Sequence, residues 1–381
     1  MRILHLVSRL GVGGIERYLL TLVRGLDGHE FRSDVACVGR RSSDEDSLVG
    51  AFRSAGAGVW HLPVPMGALG RLREFRRRVL IARYDVVHSH LGDASGPFAA
   101  ALHGTGVRFI ASYHHANFHP TIPLSKRLVL GASRQWLRAS RVPLSGCSDH
   151  AILSHFHGRP SGFWRSAYYG LDTDRFCPAT SEQRLRTREL LGIAADRTVI
   201  THIGRFVPEK NHRIILDTAE TLRARLPGAV FILVGSGPLR EWVAREVQGR
   251  GLDQIVSLAG ETDNPEIYLR ASDVFFLPSQ SEGLGLALLE AHASGLPVVA
   301  SDLPALREFA AEWPGVRLAA PDAEALAREL FTTVSNLEAS RRRTLETLPE
   351  LRRRFSMEAA VTRWTELIRA VWESNEQGRR M

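Results

Sequence analysis

The chain has 381 residues, of which 44% are hydrophobic and 24% charged, and a formal net charge of +8. That length and balance exclude a disordered chain and suggest two or three globular domains, and the charge favours polyanionic partners such as nucleotides or anionic lipid surfaces. The cysteines Cys37, Cys147 and Cys177 form neither a metal-ligand pattern nor a disulfide framework, and no apolar run approaches the roughly 20 residues of a membrane span. Much of the Arg and Ala reads as base composition, so nucleic acid is not expected as a partner. The first residues, Met1-Arg2-Ile3-Leu4-His5-Leu6-Val7, read at once as a strand with no signal-peptide core, which implies a cytoplasmic protein.

In chain order, strand Ile3–Val7 leads through Gly11, Gly13 and Gly14 into a helix over Glu16–Leu26. Strand Ser33–Val38, an Arg-rich helix over Leu69–Arg83, a strand at Asp85–His88 and strands Val107–Tyr113 and Val142–Cys147 follow. After Phe176-Cys177-Pro178 the composition changes, and a helix spans Ser181–Leu191. A second alternation then runs through strand Thr198–Ile203, helix Ile214–Arg225, strand Val230–Val234, helix Leu239–Gln248, and strands Ile255–Leu258 and Val274–Leu277. Helix Leu286–Ser294 and strand Pro297–Ala300 complete it. Such alternation implies two α/β halves, each a parallel sheet covered by helices. The expected domains are 1–177 and 178–355, with Ser356 capping a last helix over Met357–Glu373 that crosses back to the first domain.

Doubly wound sheets bind ligands outside the carboxyl ends of their strands, so a shared site is expected where the two halves face each other. Four motifs fall at such ends: Gly11–Gly14, Gly204-Arg205 through Lys210-Asn211, Gly235-Ser236-Gly237, and Glu282–Gly285. Of 49 basic residues only Lys126 and Lys210 are lysine. Arg forks onto oxyanions and Lys is a compact mobile charge, so Arg205 with Lys210 reads as a cradle for a diphosphate.

The ordered set of motifs resembles glycosyltransferase family 4, of GT-B architecture. The resemblance rests on Gly11-Val12-Gly13-Gly14-Ile15-Glu16, Asp85-Val86-Val87-His88-Ser89-His90, Tyr169-Gly170-Leu171-Asp172 with Phe176 and Pro178, Gly204-Arg205 with Lys210-Asn211, Gly235-Ser236-Gly237-Pro238, Leu277-Pro278-Ser279 with Glu282-Gly283, and Glu290-Ala291 with Gly295–Ala300. It implies two Rossmann-like domains, the first for the acceptor and the second for a nucleotide sugar. It also implies a retaining transfer that needs no metal and no cofactor.

Positioned cations stabilise the charge that develops on a nucleotide diphosphate as it leaves, a role that suits Arg205 and Lys210. By the resemblance, Glu290 accepts the ribose hydroxyls and Glu282 contacts donor-sugar hydroxyls near the reacting carbon. Gly283, Leu284 and Gly285 bring backbone amides of a helix N-terminus to the donor; Leu284 stands where many relatives carry Phe. Gly13 and Gly14 present amides from the first domain, Gly235 borders the same site, and Leu258 lies where the base is read through backbone. His114 aligns with the histidine facing the reacting sugar, with His115 as the fallback; His88 and His90 read as acceptor-pocket or structural residues.

The function expected is transfer of a sugar, from a UDP-sugar in preference to a GDP-sugar, to a glycan or lipid-linked acceptor in bacterial polysaccharide or envelope biosynthesis. Alternatives are a nucleotide-sugar 2-epimerase, an NADP-dependent oxidoreductase with Arg40-Arg41 at the 2′-phosphate, and a non-catalytic nucleotide-sugar-binding regulator. Asp172-Thr173-Asp174 and Asp44-Glu45-Asp46 match a D-x-D metal motif but sit in a junction motif and a polar loop, so no metal site is assigned. Tyr169 replaces the usual Asn of the junction. Segment Leu124–Arg141 reads as a basic amphipathic helix, with Leu124, Leu128, Ala132 and Trp136 on one face and Arg127, Arg134, Arg138 and Arg141 beside it. Such a helix suits peripheral contact with an anionic membrane. Acceptor specificity is expected in loops such as Ala116–Pro123.

Overall fold

A computed structural model describes residues 1–11, 13–26, 31–39, 47–63, 66–116, 123–156, 158–160 and 162–377, with side chains to 373. The motif residue Val12, Arg40-Arg41, Asp44-Glu45-Asp46 and most of the loop at 116–123 lie outside it. The chain divides into two compact units, 1–170 with 357–381, and 171–356. Sequence placed the first boundary at 177. The chain instead joins the second unit at Leu171, which bridges to Ser356 and donates its N–H to the Phe355 carbonyl at 2.7 Å.

In the first unit, β1 (Arg2–Val7), α1 (Gly14–Leu26), β2 (Arg32–Cys37), α2 (Val49–Ser54), β3 (Val59–His61), α3 (Ala68–Ile81) and β4 (Val86–Ser89) come first. Then follow α4 (Gly96–Leu102), β5 (Arg108–Tyr113), α5 (Leu124–Ala139), β6 (Leu144–Gly146), α6 (Asp149–Phe156) and β7 (Trp164–Ser166). The strands form a parallel seven-stranded sheet in the order β3-β2-β1-β4-β5-β6-β7, so the winding reverses between β1 and β4. Both faces are covered, which is why β1 reads as a nearly unbroken apolar run: Ile3, Leu4 and Leu6 have no exposed surface.

In the second unit, α7 (Ser181–Leu190) opens on a capping box in which Thr180 and Gln183 exchange hydrogen bonds. After it come β8 (Thr198–Ile203), α8 (His212–Leu222), β9 (Ala229–Val234), α9 (Arg240–Gly249), β10 (Val256–Gly260), α10 (Pro265–Ala271), β11 (Val274–Leu277) and α11 (Leu286–Ala293). β12 (Val298–Ser301), α12 (Pro304–Ala310), β13 (Val316–Ala319), α13 (Ala323–Ser335) and α14 (Leu337–Phe355) complete the unit. Its parallel six-stranded sheet has the order β10-β9-β8-β11-β12-β13, and the reversal falls between β8 and β11. Its core gathers Ile215, Leu216, Phe231, Leu233, Phe276 and Leu330.

The last helix, α15 (Met357–Gln377), belongs to the first unit. Trp364 is its anchor: the indole N–H donates to the Tyr18 hydroxyl of α1, and the ring lies 4.3 Å from His88. No helix among the described residues is long and apolar enough to cross a membrane.

Candidate active site

In the second unit β8 and β11 are neighbours, so the loops at their carboxyl ends meet where the winding reverses. After β8 the chain alternates: Arg205 is exposed, Phe206 is fully buried against the His212 ring at 4.1 Å, and a single 3₁₀ turn, Pro208–Lys210, delivers Lys210. Asn211, at φ 54°, makes the left-handed step into α8. After β11, Ser279 and Glu282 close a tight loop in which the Ser279 hydroxyl donates to Glu282 Oε1 at 2.7 Å. The loops are joined twice. Lys210 Nζ donates to Glu282 Oε1 at 2.5 Å, and the Gln280 N–H donates to the Glu209 carbonyl at 2.8 Å. Sequence gave Lys210 and Glu282 separate roles; the fold makes them an ion pair, with Glu282 only 6% exposed.

Around that pair, Gly235 follows β9 and Leu258 lies in β10, so the assigned residues occupy the ends of four adjacent strands. Gly235 has φ 135°, and a Cβ there would collide with the Gly204 carbonyl, so the β8 and β9 loops touch backbone to backbone. The Gly235 N–H donates to the Gly260 carbonyl at 2.7 Å, and the half-buried Leu258 sits at a register shift in β10. Gly283 and Leu284 are buried, Gly285 caps α11 in the left-handed region at φ 82°, and Glu290 is half-buried one turn further along that helix.

Beneath the Lys210 loop lie two histidines to which sequence gave no role. His202 Nδ1 contacts the Phe276 carbonyl at 2.9 Å, while His202 Nε2 and both nitrogens of His212 have no partner among the described residues. Burial lowers the His202 pKa to about 4 and the His212 pKa to about 3; Lys210 adds to both shifts. Both rings are therefore neutral at pH 7, and the cationic charge of the loop resides on Arg205 and Lys210.

In the first unit Gly13 and Gly14 follow β1 at its reversal point. The Gly13 N–H donates to the Gly11 carbonyl at 3.0 Å, and a Cβ on Gly13 would meet the Glu16 carboxylate. Gly14 is exposed at the first position of α1. His114 directly follows β5 and is buried, with both ring nitrogens engaged: Nε2 with His90 Nδ1 at 2.9 Å and Nδ1 with the Tyr169 hydroxyl at 3.1 Å. Burial, with His115 nearby, lowers its pKa to about 3. A sugar hydroxyl bonded to His114 would have to displace one of those partners; His115 is exposed. His88 Nε2 contacts Ser112 Oγ at 2.7 Å, and His5 Nδ1 contacts His90 Nε2 at 3.2 Å.

Two sequence assignments change. Arg134 of α5 does not line a solvated face: it pairs with buried Asp93 at 2.6 Å, where His155 Nδ1 also contacts the carboxylate at 3.1 Å. Burial alone would raise the Asp93 carboxyl, but His155 and Arg134 hold it below the ordinary carboxylate range. Trp136 is half-buried against the core, whereas Leu124, Leu128 and Ala132 of the same predicted stripe are exposed. Asp172 of the junction motif serves a turn, accepting from the N–H groups of Asp174 and Arg175 at 3.2 and 3.0 Å.

Residues 183–347 match the family described as Glycosyl transferases group 1, and residues 13–204 match the Glycosyl transferase 4-like domain. A Bacillus subtilis (strain 168) protein named as a glycosyltransferase, EpsF, is 30% identical over 79% of this chain and 79% of its own length. The chain belongs to the glycosyl transferase 4-like family. This glycosyltransferase is also 28% identical, over 76% of its length and 77% of the other's, to a Mycobacterium tuberculosis (strain CDC 1551 / Oshkosh) enzyme. That enzyme is the GDP-mannose-dependent alpha-(1-6)-phosphatidylinositol monomannoside mannosyltransferase. Its fold matches the crystal structure of Anabaena Alr3699/HepE in complex with UDP, with TM-score 0.82, 18% identity, and coverage of 97% of this chain and 100% of that one. The two parallel sheets are those of a GT-B glycosyltransferase.

Proposed function

We propose that this glycosyltransferase moves a sugar, with retention of configuration and without a catalytic metal, from a nucleotide-diphosphate sugar to a glycan or lipid-linked acceptor in envelope or polysaccharide synthesis. The observation that carries the reading is the Lys210–Glu282 pair at the reversal point of the second sheet, with exposed Arg205 on the same loop. A diphosphate arriving there meets two cations, and the charge that grows on it as the glycosidic bond breaks is offset by donors fixed in place beforehand. Glu282 is anchored by Ser279 and Lys210, so its remaining oxygen lone pairs orient sugar hydroxyls. Glu290, in the helix that Gly285 opens, receives the ribose. Leu258 and Gly235 border the base and phosphates, and Gly283 and Leu284 complete the cradle; of the first unit's residues, the amides of Gly13 and Gly14 are assigned to the donor diphosphate and His114 to the reacting sugar. The acceptor hydroxyl attacks from the face that the diphosphate leaves.

A UDP-sugar is the favoured donor. The structural neighbour from Anabaena holds UDP, whereas the relative from Mycobacterium tuberculosis is named for GDP-mannose, so both bases belong in the test. That relative's phosphatidylinositol mannoside acceptor and the exposed start of α5 support a lipid-linked acceptor reached at a membrane surface. Leu124, Leu128 and Val129 are exposed there beside Lys126 and Arg127. The enzyme would then work at the cytoplasmic face.

The experiment is turnover of UDP- and GDP-sugars with synthetic prenyl-diphosphate-linked monosaccharides and free oligosaccharides, in chelator, with the product anomer read by NMR. The expected result is one donor class consumed and an axial donor giving an axial product. An inverted product, a requirement for added divalent metal, or isomerisation of the donor without an acceptor would overturn the reading.

A further inference from the structure

Three histidines of the first unit converge. His5 of β1 stands directly beside His88 of β4 in the sheet register, and His90 follows two residues later. One ligand atom from each lies within 4.8 Å of the others, and His5 Nδ1 and His90 Nε2 are 3.2 Å apart. Nitrogens bound to a tetrahedral zinc at about 2.0–2.1 Å stand about 3.4 Å apart, so this edge is close to coordination length.

The outward nitrogens are each held by a different group. His5 Nε2 contacts Ser33 Oγ at 3.4 Å, His88 Nε2 contacts Ser112 Oγ at 2.7 Å, and His90 Nδ1 contacts His114 Nε2 at 2.9 Å. Metal-binding histidines show this arrangement, since a partner on the far nitrogen fixes the ring and its tautomer. The inward side is not satisfied. His5 and His90 share one contact, and His88 Nδ1 has no partner among the described residues although His88 is only 1% exposed. An orphaned buried nitrogen costs free energy in the fold, and coordination would remove that cost. His90 is half-buried and gives the ion a way in.

We infer that His5, His88 and His90 form a buried divalent transition-metal site of the first unit, with zinc as its ion. Three imidazoles without a carboxylate or thiolate suit zinc and exclude magnesium or calcium. The ion would clip β1 to β4 and, through the Trp364 ring against His88, fix α15 on the unit. It would have no part in holding the donor at Lys210 and Glu282, and the inference stands apart from that assignment.

The test uses the full chain without a histidine tag, stripped by chelator and titrated with Zn²⁺ or Co²⁺. The expected results are one Zn²⁺ per chain, a melting temperature that rises with the logarithm of free Zn²⁺, and the intense visible absorption of tetrahedral Co²⁺. His88→Gln and His5→Gln should each weaken Zn²⁺ binding at least 10-fold, while His103→Gln, at an exposed position, should not. A wild-type chain that takes up no Zn²⁺, or gives only the faint spectrum of octahedral Co²⁺, overturns the site; this holds even if a variant fails to fold. Zn²⁺ binding unchanged in both folded variants overturns it equally.

Discussion

Lys210 Nζ lies 2.5 Å from Glu282 Oε1 across two loops that sequence separates by 72 residues. The pair joins the cation expected on the diphosphate to the carboxylate expected on the donor sugar, so the two act as one unit. Lys210→Ala should lower kcat/KM by about 10²–10³-fold, the usual loss when one fixed donor to a developing charge is removed. Glu282→Gln should lower it too, and the double variant should lose clearly less than the product of the single losses. Steady-state release of nucleoside diphosphate measures all three, and strictly multiplicative losses would show that the residues act separately.

Buried Asp273 organises the amino-terminal side of the second unit. It accepts from Arg188 Nη2 at 2.6 Å, Arg341 Nη2 at 3.0 Å and the Val199 N–H at 2.8 Å, and it also pairs with Arg184. Arg188 is itself 3% exposed and spends its other donors on the carbonyls of Ala271, Ala195 and Arg197. Asp273→Ala leaves that guanidinium charged and uncompensated. It should destabilise the protein by about 3–5 kcal/mol, as breaking a buried pair from one side does. Urea denaturation checks this, and a loss below about 1 kcal/mol would contradict it.

The architecture was legible in the sequence wherever a local signal existed. Thr198–Ile203 and Val274–Leu277 are strands with the expected ends, because parallel strands buried on both faces appear as short apolar runs. The short strands Trp164–Ser166 and Val316–Ala319 and the helix Leu337–Phe355, which contains Pro349, carried no comparable signal. The glycine positions and the charged loops of the proposed donor site could be picked out of the sequence one by one. Their pairings were not: Lys210 meets Glu282, and His5 meets His88, only through strand order and register. Arg134 shows the same limit, because helical spacing set it beside other arginines and could not reveal Asp93.

Acid should weaken the second unit through His292. This ring is fully buried, with Nε2 on the Thr347 hydroxyl at 2.9 Å and the edges of Phe309 and Trp313 around it; burial lowers its pKa from 6.5 to about 4. Below pH 6.5 the unfolded chain binds a proton that the folded ring refuses. The stability present above pH 6.5 is therefore lost as pH falls toward 4, by at most about 1.4 kcal/mol per pH unit from this site. His292→Gln should flatten the plot of unfolding free energy against pH in that window. An unchanged slope would assign the acid sensitivity elsewhere.

The start of α5 gives a membrane prediction. Leu124, Leu128 and Val129 are 69%, 65% and 63% exposed beside Lys126 and Arg127. The protein should float with vesicles containing phosphatidylglycerol and not with pure phosphatidylcholine, and added salt should weaken the binding. Leu124→Ser with Leu128→Ser should reduce flotation several-fold without changing turnover of a water-soluble acceptor. Equal flotation of the variant would remove α5 from the contact.

Calorimetric titration of UDP, GDP and ADP into the wild type and Lys210→Ala, in chelator, tests the donor site most directly. One of these nucleotides, UDP first, should bind the wild type with one site per chain. Binding to Lys210→Ala should be at least about 10-fold weaker, the effect of losing a charged hydrogen bond of about 1.5–3 kcal/mol. No binding by any nucleotide, or equal affinity in the variant, would contradict a diphosphate site at Lys210 and Glu282.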